Sequence, residues 1–179
     1  MAELNAEVSV AVYTAFNERN VAEFRRLLRK YPEFLRHDDG TDRWMWQAAI
    51  DGHLGLVECL VELGQDVNEP KDAVGPDDPD CSFCQVEGPI VQAASEGHLE
   101  VVRWLLARGA KINFTINGKR RCLPLLDAAT KGHLDVVKLL VENGADIHAS
   151  FNRHTPLSQA INYGHQAVAE YLRSVEAAS

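Results

Sequence analysis

The chain has 179 residues, 46% of them hydrophobic and only 7% aromatic, enough for one globular domain whose core is lean in large side chains. A formal charge of −8 opposes the phosphate neutralisation on which nucleic-acid affinity rests, so no nucleic-acid partner is expected. No run of 18 apolar residues occurs, and the first thirty, with Glu3, Glu7, Glu18 and Glu23, lack the basic start and apolar stretch of a secretory signal. A cytoplasmic chain without a membrane partner is the expectation.

Laid against itself, the sequence resolves into copies of one two-helix unit. The first reads VAVYTAFNERN from Val10 into VAEFRRLLRKY, where Asn20 and Glu23 carry capping-box chemistry and the basic run from Arg25 to Lys30 forms the solvated face of a cap helix. Its apolar face is Phe24, Leu27 and Leu28. The second reads RWMWQAA from Arg43 and GHLGLVECLVELGQDVN from Gly52. It opens on a Trp44-Met45-Trp46 cluster, of which at least one member belongs to the core. An insert, PKDAVGPDDPDCSFCQVEG from Pro70 to Gly88, follows; its Pro, Gly and Asp residues deny regular structure and predict a long acidic loop.

The third unit, GPIVQAA from Gly88 and GHLEVVRWLLARGAKIN from Gly97, ends in FTINGKRRC. There Asn117-Gly118 predicts a tight turn presenting Lys119, Arg120 and Arg121. The fourth is LPLLDAA from Leu123 and GHLDVVKLLVENGADIH from Gly132. The fifth is TPLSQAI from Thr155 and GHQAVAEYLRS from Gly164; it lacks the GAD-like ending, and Gln166, Glu170 and Arg173 predict a polar C-terminal cap. Leu99, Val102, Leu105 and Leu106, and again Leu134, Val137, Leu139 and Leu140, recur at helical spacing as an apolar stripe that no unit can bury alone.

The marker positions 19, 52, 97, 132 and 164 are spaced 33, 45, 35 and 32 apart, a period near 33 with one expanded unit. With TPL at 155–157, the Gly-His pairs and GADIH at 144–148, the chain resembles the ankyrin repeat over residues 10 to about 173. The expected fold is an all-α ankyrin-repeat solenoid: one domain over 1–179, with repeats near 5–37, 38–70, 83–117, 118–149 and 150–179 and an expanded loop near 69–87. One departure from the family is systematic. The histidine of its TPLH motif is Tyr13, Trp46, Val91, Leu126 and Ser158 here, which puts the usual hydrogen-bond network in doubt.

The resemblance implies a protein-binding module that uses the concave face of the first helices and the hairpin tips. Helical spacing puts Thr14, Asn17, Glu18; Gln47, Ile50, Asp51; Gln92, Ser95, Glu96; Asp127, Thr130, Lys131; and Gln159, Asn162, Tyr163 on one ribbon. The expected contacts are Trp46, Asp51, Gln92, Glu96, Asp127, Lys131, Asn162 and Tyr163 on that face, with Asp77, Asp78, Arg120 and Arg121 at the tips. One protein partner is expected, bound by a chain that is otherwise monomeric, with an inhibitory or regulatory outcome. A toxin-neutralising immunity protein and a scaffold joining two proteins remain alternatives.

No catalytic site, cofactor or metal is expected. The chain has no glycine-rich phosphate loop, GxSxG or HExxH, and periodicity accounts for His53, His98, His133 and His165. Four cysteines, Cys59, Cys81, Cys84 and Cys122, are too few and uneven for a disulfide framework. The Cys81/Cys84 pair is half a zinc or redox motif without a second half, which leaves a metal or redox module as the remotest alternative.

Overall fold

The computed structural model describes residues 2–35, 44–68, 88–116, 119–121, 123–151 and 153–178. The expanded loop, with Asp77 and Asp78, lies outside them. Ten helices occupy the described residues: α1 (Ala2–Asn17), α2 (Val21–Lys30), α3 (Trp44–Ile50), α4 (Leu54–Glu62), α5 (Pro89–Ser95), α6 (Leu99–Ala107), α7 (Leu123–Lys131), α8 (Leu134–Glu142), α9 (Pro156–Asn162) and α10 (Gln166–Ala178). A 3-10 turn covers Pro32–Leu35, and an antiparallel pair, β1 (Phe114–Ile116) and β2 (Lys119–Arg121), joins the third and fourth helix pairs.

Each first helix ends the same way. The marker residue adopts a left-handed conformation, and the next residue's N–H reaches back to a carbonyl five residues earlier: Asn20 to Ala15, His53 to Ala48, His98 to Ala93, His133 to Ala128 and His165 to Ala160, at 2.8–2.9 Å. This is the closing bond of a Schellman turn, and it reverses the chain into the second helix. Arg19 makes the same turn at φ 58°, where a Cβ is disfavoured.

Two layers result. The first helices stack α3 on α5 on α7 on α9, and the second helices stack α2, α4, α6, α8 and α10 behind them. Alanine sets the spacing of the front layer: Ala48, Ala49, Ala93, Ala94, Ala128 and Ala129 are wholly buried, so the backbones approach closely. Behind them the stripe is broader than its leucines and valines suggest. Val102, Leu105, Val137 and Leu140 have no exposed surface, but Val101 and Val136 are buried as well, while Leu99, Leu106 and Leu134 are only partly so.

The first pair differs. Phe16 replaces the second alanine of that position, and α1 approaches α3 less closely than α3 approaches α5. Trp44 fills the gap: its ring lies 4.8 Å from those of Tyr13 and Phe16 and 5.4 Å from that of Phe24, and its indole N–H donates to the Phe34 carbonyl at 3.0 Å. Phe24, Leu27 and Leu28 are buried, as their spacing predicts. The Asn20 carboxamide accepts the Glu23 N–H at 3.1 Å, but the Glu23 carboxylate turns to Arg26 at 2.7 and 2.8 Å, so only half of the expected capping box forms. Arg25, assigned to a solvated face, instead pairs with Glu62 on α4 at 2.9 Å.

The expected polar cap at the far end is also only half realised. Gln166, Glu170 and Arg173 face water on α10, but α9 leaves Ile161 48% exposed. Ile161 occupies the position of the wholly buried Ala49, Ala94 and Ala129.

Candidate interaction surface

Three of the Gly-His histidines tie one unit to the one before it. His98 Nε2 lies 2.6 Å from the Ile50 carbonyl, His133 Nε2 2.9 Å from that of Ser95, and His165 Nε2 2.9 Å from that of Thr130. A carbonyl only accepts, so Nε2 carries the hydrogen in each ring. Each ring rests on the preceding marker glycine. A Cβ on Gly97 would stand 2.6 Å from His133 Nδ1, and one on Gly52 or Gly132 would be closer still to His98 or His165.

His53 breaks the series. Its predecessor at the marker is Arg19, which carries the Cβ that Gly52, Gly97 and Gly132 lack. The His53 ring instead accepts the Leu56 N–H at 3.2 Å through Nδ1, capping its own helix. His98 and His133, seated on their neighbours, make no such cap.

The front ribbon is built on the same turns. Asp51, Glu96, Lys131, Asn162 and Tyr163 are exposed, and Gln47, Gln92, Asp127 and Gln159 are half-buried beside them. The ribbon residues also bind one another. Gln47 donates to Asp51 at 2.8 Å, one helical turn on, and the Lys131 ammonium meets Glu96 across the repeat boundary at 2.7 Å. That hydrogen bond holds the Glu96 carboxyl below the usual carboxylate range, outweighing the opposing effect of burial with some help from the ammonium's charge. The ribbon is therefore mixed in charge at its centre. At its C-terminal end Tyr163 is 62% exposed.

Of the Trp-Met-Trp cluster, Trp44 and Met45 are core and Trp46 is half-buried. Arg120 and Arg121 lie on β2, opposite Thr115 and Phe114. The Asn117-Gly118 turn between the strands is outside the described residues, as are Cys81, Cys84 and Cys122. Cys59 on α4 is a buried free thiol; burial outweighs its hydrogen bond with Arg25 and pushes its pKa up, and the raised pKa removes nucleophilic character. Among the described residues no three His, Cys, Asp or Glu side chains are grouped to hold a metal ion, and no helix is long and apolar enough to cross a membrane. The doubt over the missing TPLH histidine resolves in one unit: Ser158 and Thr155 cap each other's backbone N–H at 2.8 and 3.1 Å.

A second set of ties is not apparent from the periodicity. Asn68 donates to the Gly109 carbonyl at 3.3 Å and accepts the Lys111 N–H at 2.8 Å; Asn113 repeats this with Gly144 at 2.7 Å and Asp146 at 2.9 Å. The signal is present in the Asn that ends both DVN and KIN. It needs the neighbouring unit's turn to acquire a meaning.

A search of curated proteins finds no match to the chain. A family model described as ankyrin repeats, in three copies, matches residues 45–150 and 90–178, well over half of the 179 residues. The matched span takes in the helix pairs from α3 to α10 and leaves the first pair outside. The chain belongs to the ankyrin-repeat family, whose repeats are generally protein–protein interaction modules.

Proposed function

We propose that this chain binds one protein partner across the front ribbon, with Trp46, Asp51, Gln92, Glu96, Asp127, Lys131, Asn162 and Tyr163 among its contacts. The observation that carries this reading is Tyr163. It is a large amphipathic ring, 62% exposed, at the end of a line of polar side chains held in place by the stacked helices. Tyrosine is enriched at interface hot spots because it offers wide apolar contact and a hydroxyl at little entropic cost. The pairs Gln47–Asp51 and Glu96–Lys131 give the earlier part of the same line a defined polarity.

Regulation by occlusion follows from this reading: a rigid concave surface covers a partner's surface and carries no chemistry of its own. Lys131 offsets Glu96 at the centre of the ribbon, which leaves Glu18, Asp51 and Asp127 as its remaining charges, all acidic, and keeps a toxin-neutralising immunity protein as the alternative reading. The test is affinity capture from the native lysate, comparing the wild-type chain with one carrying Gln92→Arg, Asp127→Arg and Tyr163→Ala after both show equal folding by circular dichroism. A protein held by the first and lost by the second supports the ribbon. Equal capture by both overturns it and moves the site to the hairpin tips.

A further inference from the structure

The molecule contains three filled copies of one seat and a fourth site with the same floor, a left-handed glycine and the carbonyl two residues before it. In each filled seat a left-handed glycine, Gly52, Gly97 or Gly132, carries an imidazole, and the carbonyl two residues earlier binds Nε2. Gly164 has the same conformation at φ 77°, and a Cβ there would have no heavy atom within 4 Å. Asn162 supplies the corresponding carbonyl. Ile161 and Tyr163, 48% and 62% exposed, stand on either side of it.

We propose that the Gly164 end of the solenoid binds a histidine-bearing segment of the partner protein, its ring resting on Gly164 as His98, His133 and His165 rest on Gly52, Gly97 and Gly132. This deepens the binding function proposed above and rests on it, because Asn162 and Tyr163 belong to the same ribbon. The three internal seats state the chemistry: a flat ring with one N–H aimed at a carbonyl, set against a surface that admits no Cβ. Ile161 adds apolar area where the internal units bury an alanine.

A sixth unit in the same register fits this end poorly. Gln166 and Arg173 stand on α10 where α8 has Leu134 and Val141, so the back layer would meet polar side chains. α10 also runs on as helix through Glu176, twelve residues past Gly164, where the earlier units turn at Gly64, Gly109 and Gly144. A second copy of the chain stacked head to tail fits no better, since its first unit carries Asn20 where the ring is needed.

The probe is a synthetic peptide with the sequence of Gly132 to Gly144, which contains one histidine, titrated into the isotopically labelled full chain and followed by amide chemical shifts. Its control is the same peptide with alanine for histidine, an arm that requires no variant of the chain to fold. Saturable shifts confined to Asn162, Tyr163, Gly164 and their neighbours are expected. Affinity should be about fivefold weaker for the control, the worth of one hydrogen bond, and lower again for Gly164→Ala and Ile161→Ser chains. Equal shifts with both peptides, or shifts centred elsewhere, overturn the proposal. Failure here with loss of capture in the ribbon variant removes the histidine seat and keeps the ribbon; the reverse pattern keeps the seat and removes the ribbon.

Discussion

The junction between the first two units and the three junctions after it solve one packing problem in two ways. Later junctions use small residues: an alanine pair brings the helices close, a left-handed glycine leaves room for a ring, and a histidine spans the boundary. The first junction uses bulk: Phe16 and Arg19 exclude that arrangement, and four aromatic rings, Tyr13, Phe16, Phe24 and Trp44, close the space. One kind is repeatable and depends on hydrogen-bond geometry. The other holds the first helix pair to the second through a broad aromatic contact.

The largest effect should come from the bulky junction. Trp44→Ala removes a buried indole, three ring contacts and the hydrogen bond to Phe34, and should cost about 3–5 kcal/mol in urea denaturation followed by circular dichroism. Because neighbours in a solenoid share stability only across their boundary, the loss should fall on the first unit. Proteolysis should then cut first near α2, with the fragment from the second unit onward surviving. A uniform loss of stability along the chain would show that the first junction is no separate device.

The small-residue junction can be isolated by two glycines of nearly equal conformation. Gly97 has φ 78° and carries the His133 ring; Gly109 has φ 81°, and a Cβ added there would meet nothing within 4 Å. Alanine at either incurs the left-handed penalty of about 1–2 kcal/mol. At Gly97 it also evicts a ring whose hydrogen bond is half-buried, for a further cost of about 1–2 kcal/mol. The difference between the two variants, read from urea midpoints at constant slope, measures the seat alone. Equal losses would mean that the histidine contributes no net stability to the junction.

Periodicity makes this half of the comparison legible in the sequence itself. The repeat length, the two-helix unit, the Gly-His pairs and the turn glycines all depend on residues near one another along the chain. What the histidines touch is not legible, because their acceptors at Ile50, Ser95 and Thr130 lie 35 to 48 residues away and are backbone atoms that leave no mark on the sequence. The ties of Asn68 and Asn113 are hidden for the same reason. The ribbon residues are legible as exposed or half-buried positions, whereas the pairing of Glu96 with Lys131 requires the spacing that the alanines impose on α5 and α7. The aromatic junction is the hardest to read: Trp44 looks like any apolar helix residue until the fold brings Tyr13, Phe16 and Phe24 against it.

That same spacing places the smallest expected effect. Glu96 and Lys131 face each other across a junction of the small-residue kind, with side chains 41% and 47% exposed, so screening by water limits the pair to a few tenths of a kcal/mol. Lys131→Met should remove that amount at neutral pH. The Glu96 carboxyl is held below its unfolded value of about 4.3, so the pair's contribution is full above that value and fades as pH falls through the lower, folded one. Stability of the wild type and of Lys131→Met should therefore converge on the acid side, and also in high salt, where the exposed charges are screened. A gap that persists at low pH would mean that Lys131 supports the junction by packing its aliphatic stem rather than by charge.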